Sequence, residues 1–343
     1  MKLSRVGIDL AKNVYQLHGV DCFGETMLKR RVKRHQWLRV LLDKTETDCV
    51  IGMEACGGAH HWARELQARG YTVRLIPPQF VKPYVKSNKN DANDAEAICE
   101  AMSRPNMRFV TVKSVEQQDI QATHRVRTEI KDHRNAKANQ IRGLVAEYGL
   151  VAPLTLLALR KAIPCWLEDA DNGLTDYFRS LLHGLWSDLV ALDDRMAELD
   201  KQIKTLADNN EVAQRLQQLR GVGPLVATAL IATVGTGEQY CKGKQMAAAL
   251  GLTPRQCSSG DKQRLLGISK RGDVYLRTML IHGARAVVSQ AKHRDDRLSQ
   301  WVTGIAKRKH PNVAAVALAN KTARMAWAML RKDANYDPDY AIG

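Results

Sequence analysis

Four acidic residues stand out by placement. Asp9 closes the apolar segment Val6-Gly7-Ile8, and Glu54 closes the apolar run Cys49 to Met53. The small residues Ala55-Cys56-Gly57-Gly58 after Glu54 leave room around it. Asp91 and Asp94 lie three apart in Asn90-Asp91-Ala92-Asn93-Asp94-Ala95, at a helix start, so both project from one face. Each alone has an ordinary explanation. Aspartates favour the first turn of any helix through capping and the macrodipole, and an acid ending a strand is commonly solvated. Together they suit hard divalent cations such as Mg2+, which take oxygen ligands. Two such ions, about 3.5–4 Å apart, stabilise the attacking and leaving oxygens of a phosphoryl transfer. A cluster of this kind is costly to fold unless cations neutralise it.

The elements that must position these acids follow from the pattern. Arg5 to Leu10, Val14 to Val20 and Glu25 to Val32 read as strands, Gln36 to Lys44 as a helix, and Cys49 to Glu54 as a buried strand. Ala59 to Arg69 reads as a helix, Tyr71 to Ile76 as a strand ended by Pro77-Pro78, and Asp91 to Met102 as a helix. That order predicts a mixed α/β domain with a central sheet. Val115 to Tyr148 is long, helical and polar, with Arg125, Arg127, Lys131, Arg134, Lys137 and Arg142 along it; such a helix is bridging, partner-bound or laced with ion pairs. Leu182, Leu185, Leu189, Leu192, Met196, Leu199, Ile203 and Leu206 alternate spacings of 3 and 4, a heptad seam that predicts a coiled coil with another long helix, of this chain or of a second copy.

The remainder reads as all-helical. Leu219 to Ala227, with Gly221 and Gly223, resembles a helix-hairpin-helix turn, in which glycines let backbone approach a phosphate at a helix N-terminus. The same residues also make ordinary helix–helix turns. The formal charge is +16, and residues 201–343 hold 23 basic against 10 acidic residues, whereas residues 151–200 hold 4 against 9. An excess of that size favours a polyanion, most simply nucleic acid. Aromatics at 6% and the lack of an aromatic-bearing strand make base-stacking modules a poor fit. The seven cysteines form no Cys-x-x-Cys pair, which speaks against a disulfide framework and a zinc site. No secretory apolar stretch or membrane-length run stands out, so a soluble protein of a reducing, cytoplasmic compartment with no membrane role is expected.

The motifs resemble a known family. Gly7-Ile8-Asp9-Leu10-Ala11-Lys12, Met53-Glu54-Ala55-Cys56-Gly57-Gly58 and Lys89-Asn90-Asp91-Ala92-Asn93-Asp94-Ala95 look like the D, E, D, D motifs of the insertion sequence one-ten (IS-one-ten) family of DEDD transposases of bacterial insertion sequences. Gly221-Val222-Gly223-Pro224, Gly251-Leu252-Thr253-Pro254-Arg255, Ser258-Ser259-Gly260 and Ile268-Ser269-Lys270-Arg271-Gly272-Asp273 resemble its C-terminal half, with the flavour of the insertion sequence eleven-eleven subgroup. The resemblance covers nearly the whole chain in the expected order.

It implies a RuvC-like domain of ribonuclease-H fold at 1–112 and long helices with a coiled-coil insertion at 113–210, used to assemble a dimer or tetramer. An all-α transposase domain with the helix-hairpin-helix-like element would follow at 211–335, and a tail at 336–343. Asp9, Glu54, Asp91 and Asp94 would hold Mg2+. A serine of the C-terminal domain would complete a composite site and join DNA through a 5′-phosphoserine; by its position before Gly260 this is Ser259, with Ser258 adjacent. A noncoding bridge (seeker) RNA of the element would pair with donor and target DNA and select the sites.

A physical case for the serine loop stands beside the resemblance. Arg255, Lys262, Arg264, Lys270, Arg271, Arg277 and Arg285 face only Asp261 and Asp273 over that stretch, so anionic DNA is favoured there. A serine hydroxyl is a weak nucleophile, and no histidine lies in the loop to activate it. The metal cluster and the arginines would have to lower the barrier. A covalent phosphoserine conserves bond energy, so strands are cut, exchanged and rejoined without ATP. Hydroxyls that merely cap a turn are the ordinary alternative. Three rivals remain. Gly7-Ile8-Asp9 also resembles the first phosphate loop of actin-like sugar kinases, but no second phosphate hairpin follows. A nucleic-acid-binding protein with a decayed nuclease core conflicts with four intact acids. A Holliday-junction nuclease needs the acids but not Ser259.

Overall fold

The structure is a computed structural model that describes residues 2–85, 91–259 and 262–337, with the side chains of Asp91, Ser259, Lys262 and Gln263 outside that description. The chain forms two compact units, Met1–Val115 with Glu238–Cys241, and Glu116–Gly237 with Lys242–Gly343.

The first unit is built on a five-stranded sheet. Its elements are β1 (Arg5–Leu10), β2 (Val14–Val20), β3 (Thr26–Lys33), α1 (Trp37–Leu42), β4 (Val50–Glu54), α2 (Ala59–Gln67), β5 (Thr72–Ile76), α3 (Pro78–Val81) and α4 (Asp91–Ala101). The strand order is β3-β2-β1-β4-β5, with β1–β2 and β2–β3 antiparallel and β1–β4 and β4–β5 parallel. Strand alternation sends Val6, Ile8, Tyr15, Leu17, Val32, Ile51, Met53 and Leu75 to one face, where they bury with Trp37, Leu41, Ala63 and Leu66 of α1 and α2. The other face carries Val20 and Ile76 and is covered by Ile98 and Cys99 of α4 and by Met102 just after it. A bridge between Leu75 and Val110 brings the following segment back along the sheet, and His60 Nδ1 accepts from the Lys113 amide at 3.1 Å. Burial holds His60 neutral, its pKa lowered to about 4.

The second unit comprises α5 (Val115–Ala146), α6 (Leu156–Glu168), α7 (Asp176–Asp208), α8 (Glu211–Leu216), α9 (Pro224–Val234), α10 (Gly243–Ala249), β6 (Pro254–Ser259), β7 (Lys262–Ile268), α11 (Val274–Gln290), α12 (Arg297–Arg308) and α13 (Pro311–Lys332). The polar helix α5 runs antiparallel to α7, as its ion pairs show: Arg127 with Asp200, Arg134 with Asp193 at 3.1 Å, and Lys137 with Asp188 at 3.0 Å. The acidic stretch thus neutralises the basic face of α5. The heptad seam is covered from within: Leu182 and Leu189 bury with Ala138, Ile141 and Val145 of α5 and Leu159 and Ile163 of α6, and Met196, Leu199 and Ile203 are buried further along. The expected pairing of the seam is therefore made by helices of this chain, and these seam residues offer no open face to a second copy.

Two further corrections concern the last third. It is not all-α: β6 and β7 form an antiparallel hairpin. The hairpin evaded the apolar-alternation test because it is solvated, with Arg255, Gln256, Cys257, Ser258 and Arg264 exposed and Leu265 still 69% exposed. The α8–α9 turn also differs from a pure phosphate loop, because Gly221, at φ +84°, packs against another glycine. A Cβ there would meet the Gly283 carbonyl oxygen of α11 at 2.7 Å. The apolar α9 lies in the middle of this unit, and the buried His124 spans its neighbours, bonded to Tyr275 Oη at 2.8 Å and Thr228 Oγ1 at 2.9 Å. Among the described residues no helix is long and apolar enough to cross a membrane, and all seven cysteines are free.

Candidate active site

Cross-strand register brings the acids of β1 and β4 side by side. Gly7 pairs with Gly52 and Ile8 with Met53, so Asp9 and Glu54 follow as neighbours at the C-terminal ends of parallel strands. Ile8 and Met53 are fully buried toward α1 and α2, and alternation turns Asp9 and Glu54 to the face under α4. That helix carries Asp94 and, at its first residue, Asp91, whose side chain lies outside the described residues.

Two glycines let α4 come this close. A Cβ on Gly7 would stand 2.3 Å from the Ala95 carbonyl oxygen and 2.6 Å from the Cys99 amide nitrogen, and one on Gly52 would meet Met102 Sδ at 2.8 Å. Each glycine precedes its acid by two residues and so shares its face: Gly7-x-Asp9 and Gly52-x-Glu54. This repeated pattern was present in the sequence and its meaning was missed.

The electrostatics record the crowding. Burial and then the Asp94 carboxylate push the Glu54 pKa up. Burial, then the charges of Glu54 and Asp9, push the Cys56 thiol up, so Cys56 stays protonated beside the acids and is no nucleophile. Among the described residues no three carboxylate, imidazole or thiol groups form a complete metal-binding set. A half-buried Glu54 held against a second carboxylate nonetheless fits a divalent cation, which supplies the charge that the site lacks.

The second candidate element is the hairpin. Ser259 is the last residue of β6 and pairs with Lys262 across the tip; Ser258 pairs with Gln263. Ser258 is exposed, its Oγ 3.0 Å from Gln256 Nε2. The hairpin base is clamped by the Ser269 amide donating to Thr253 O at 2.8 Å and by the left-handed Gly251 and Gly272, whose added Cβ atoms would strike Arg271 O at 2.3 Å and Ala249 O at 1.8 Å.

The chain's relatives bear on both elements. Residues 6–149 match a family profile described as a DEDD transposase, and residues 213–300 match one described as transposase IS116/IS110/IS902 family. The "Probable family 20 transposase" of Pseudomonas aeruginosa is 48% identical over 98% of this chain and 100% of its own length. The chain belongs to the IS116/IS110/IS902 transposase family. The transposase for insertion sequence element IS1111A of Coxiella burnetii is 45% identical, covering 96% of this chain and 90% of that protein. That for IS1328 of Yersinia enterocolitica is 40% identical, covering 94% and 96%. The expected family is thus confirmed. The N-terminal sheet with its covering helices is a DEDD transposase domain of RuvC-like type, followed by a largely helical C-terminal region.

For this transposase the remaining expected nucleic-acid contacts separate into two groups. Arg255, Arg264, Lys270 and Arg271 are exposed on the hairpin and the turn after it, and Lys270 holds φ +55°. The Lys262 side chain lies outside the described residues. Arg277 is a correction: it is 6% exposed and donates to Leu250 O at 3.0 Å and Arg271 O at 2.8 Å. It locks α11 to the hairpin base and is not available to a phosphate. Its spacing was a signal, since Arg277, Leu280, Ala284, Val287 and Ala291 follow the 3-4-3-4 rhythm of a buried stripe. Gly223 differs from Gly221: it is the exposed N-cap of α9, and a Cβ there would meet nothing within 4 Å.

Proposed function

We propose that this transposase is an RNA-guided DNA recombinase that cuts and rejoins strands through a covalent 5′-phosphoserine on Ser259. The observation that supports the reading is the register that sets Asp9 beside Glu54 on the sheet face covered by α4, with Asp94 of that helix close enough to raise the Glu54 pKa.

In this reading Asp9, Glu54, Asp91 and Asp94 would hold Mg2+, which would supply positive charge to the phosphate oxygens. Ser259 Oγ attacks the phosphorus; one P–O ester bond forms and the bond to the 3′-oxygen breaks. The serine proton ends on that 3′-oxygen. In the return step a 3′-hydroxyl of the partner strand attacks the phosphoserine, one P–O bond again replaces another, and the serine regains its proton. Neither step consumes ATP. Arg255 and Arg264, exposed on the same hairpin as Ser259, would stabilise the charge on the transferring phosphate. Gly223 would admit a phosphate to the α9 N-terminus. Donor and target DNA would be chosen by pairing with a bridge RNA, so that the protein reads backbone rather than sequence. Assembly into a dimer or tetramer would use surfaces other than the buried part of the heptad seam.

The test is a denaturing gel of the protein with Mg2+, element-flanking RNA and labelled donor and target DNA. A Mg2+-dependent protein–DNA adduct that is lost in Ser259→Ala and Asp9→Asn but kept in Ser258→Ala is expected. Cleavage without an adduct in any variant would sink the covalent route and leave a metal-dependent junction nuclease.

A further inference from the structure

The N-terminal unit carries a concentration of charge that the carboxylate site does not use. The edge strand β3 and the residues just after it read Lys29-Arg30-Arg31-Val32-Lys33-Arg34-His35, with no acid between Thr26 and Leu42. Among the described residues none of Lys29, Arg30, Arg31, Lys33 and Arg34 forms an ion pair, and all are exposed. Five cations within six positions repel one another, an arrangement that an anion would relieve.

The sheet register aligns this charge with the acids. Asp9 pairs with Gln16 on β2, and Gln16 pairs with Arg31 on β3. Residues directly opposite in a ladder share a face, so Glu54, Asp9, Gln16 and Arg31 form one row across the sheet. Val32 is turned into the core with Tyr15 and Trp37, which puts Lys29, Arg31 and Lys33 on the same face as Asp9. Arg31 stands two strand spacings from Asp9, about 10 Å. The packing of α4 falls on β1, β2 and β4, which leaves this flank of the face open. Strand direction matters as well. β1, β3 and β4 run the same way, so Lys33 lies at the sheet end where Asp9 and Glu54 sit. That end of β3 borders an open cleft of about 660 Å3, lined by Asn13, Lys33, Arg34 and His35 and, from α2 on the opposite face of the sheet, by His61 and Trp62, so the cleft lies round the sheet end from the rail. The Arg34 amide donates to Asn13 O at 3.0 Å, which ties the cleft to the loop that follows Asp9.

We infer that Lys29, Arg31 and Lys33 form a rail for the phosphodiester backbone of the DNA strand that reacts at the carboxylates, with the cleft receiving the strand beyond the rail. The inference rests on the DNA-recombinase reading of that site. A phosphate at Asp9 and Glu54 puts the neighbouring nucleotides of its strand over Arg31 and Lys33. The rail gives register and affinity and no sequence discrimination, since it meets only backbone. Basic residues on an edge strand also guard against edge-to-edge pairing of copies, and the test separates the two roles.

The experiment uses the full chain in EDTA, where strands bind but do not react. Fluorescence anisotropy follows a short labelled single strand of DNA over a salt series, with an RNA strand of the same sequence beside it. Arg31→Gln/Lys33→Gln is compared with wild type and with Arg39→Gln/Lys44→Gln, which removes the same charge from exposed positions in α1 and just after it. For two lost phosphate contacts on a single strand the slope of log K against log salt shrinks by about 1.4, and affinity at moderate salt falls about tenfold. The control keeps the wild-type slope. An unchanged DNA slope in the rail variant overturns the inference, whatever happens with RNA, as does an equal loss in the control. Self-association of the rail variant on a sizing column with an unchanged DNA slope assigns the charges to edge protection and overturns it too. Loss of the covalent adduct requirement for Ser259 would strike the catalytic reading and leave the rail's slope as it is.

Discussion

The close approach of α4 to the sheet makes Gly7→Ala and Gly52→Ala unequal, although both place a methyl group under the same helix. At Gly7 the new Cβ meets backbone, at 2.3 Å from Ala95 O and 2.6 Å from Cys99 N. Backbone cannot swing aside, so the helix must retreat by about 1 Å to restore ordinary contact. Overpacking of that kind costs about 1–3 kcal/mol. At Gly52 the methyl meets Met102 Sδ at 2.8 Å and Cε at 3.1 Å, the end of a flexible side chain that can rotate away. There the cost stays below about 1.5 kcal/mol, and the loss of unfolded-chain freedom on replacing glycine returns about 0.4–1 kcal/mol. The shift at Gly7 also carries Asp94 away from Glu54, and a misplacement of about 1 Å in a reacting group lowers a rate by about a hundredfold. Urea unfolding gives the stability difference, and the rate of Mg2+-dependent adduct formation gives the functional one. Gly7→Ala should be destabilised and slow, with Gly52→Ala near wild type in both. A Gly52→Ala as damaging as Gly7→Ala, or a Gly7→Ala within about 0.5 kcal/mol of wild type, would refute the argument.

Two other outcomes follow from the site and its support. The Glu54 pKa is raised by burial and Asp94. The folded state therefore keeps a proton that the unfolded state has lost, and stability falls as pH rises from the unfolded value through the folded one. Glu54→Gln should flatten that slope and melt higher than wild type at neutral pH without metal, while Mg2+ should raise the melting temperature of wild type more than that of the variant. Equal responses to Mg2+ would contradict a cation at Glu54. Arg277→Met strands the carbonyls of Leu250 and Arg271 and should cost about 1–3 kcal/mol in urea unfolding, whereas Arg264→Gln, on an exposed strand, should leave stability unchanged and weaken DNA binding.

The sheet was legible because its core-facing residues alternate with small or polar ones: Val6 and Ile8 around Gly7, Ile51 and Met53 around Gly52, Tyr15 and Leu17 around Gln16. Asp9 and Glu54 were legible for a related reason, since each lies at the end of a strand whose alternation fixes the face it projects from, and Asp91 and Asp94 because a spacing of three sets both on one side of a helix. The hairpin under Ser259 was not. Its strands carry arginines, glutamines and serines on solvated backbone, so no apolar face announced them, and only the Gly260-Asp261 pair between Ser259 and Lys262 hinted at a turn. The partner of the heptad seam could not be read from the seam alone. The basic residues that pair with Asp188, Asp193 and Asp200 lie on α5, up to 73 residues away, and a charge complementary to a helix face looks the same whether it comes from the same chain or another. The charge of Arg277 points to a phosphate, whereas its place on the 3-4-3-4 stripe of α11 puts it in the core.

The most direct test of the account is to find the atom that holds the DNA. The adduct formed with Mg2+ is digested with nuclease and trypsin, and the peptide between Arg255 and Lys262, which contains both Ser258 and Ser259, is fragmented in the mass spectrometer. The account predicts a residual 5′-phosphonucleotide on Ser259. A nucleotide on Ser258, on another residue, or on no residue of this peptide would contradict it.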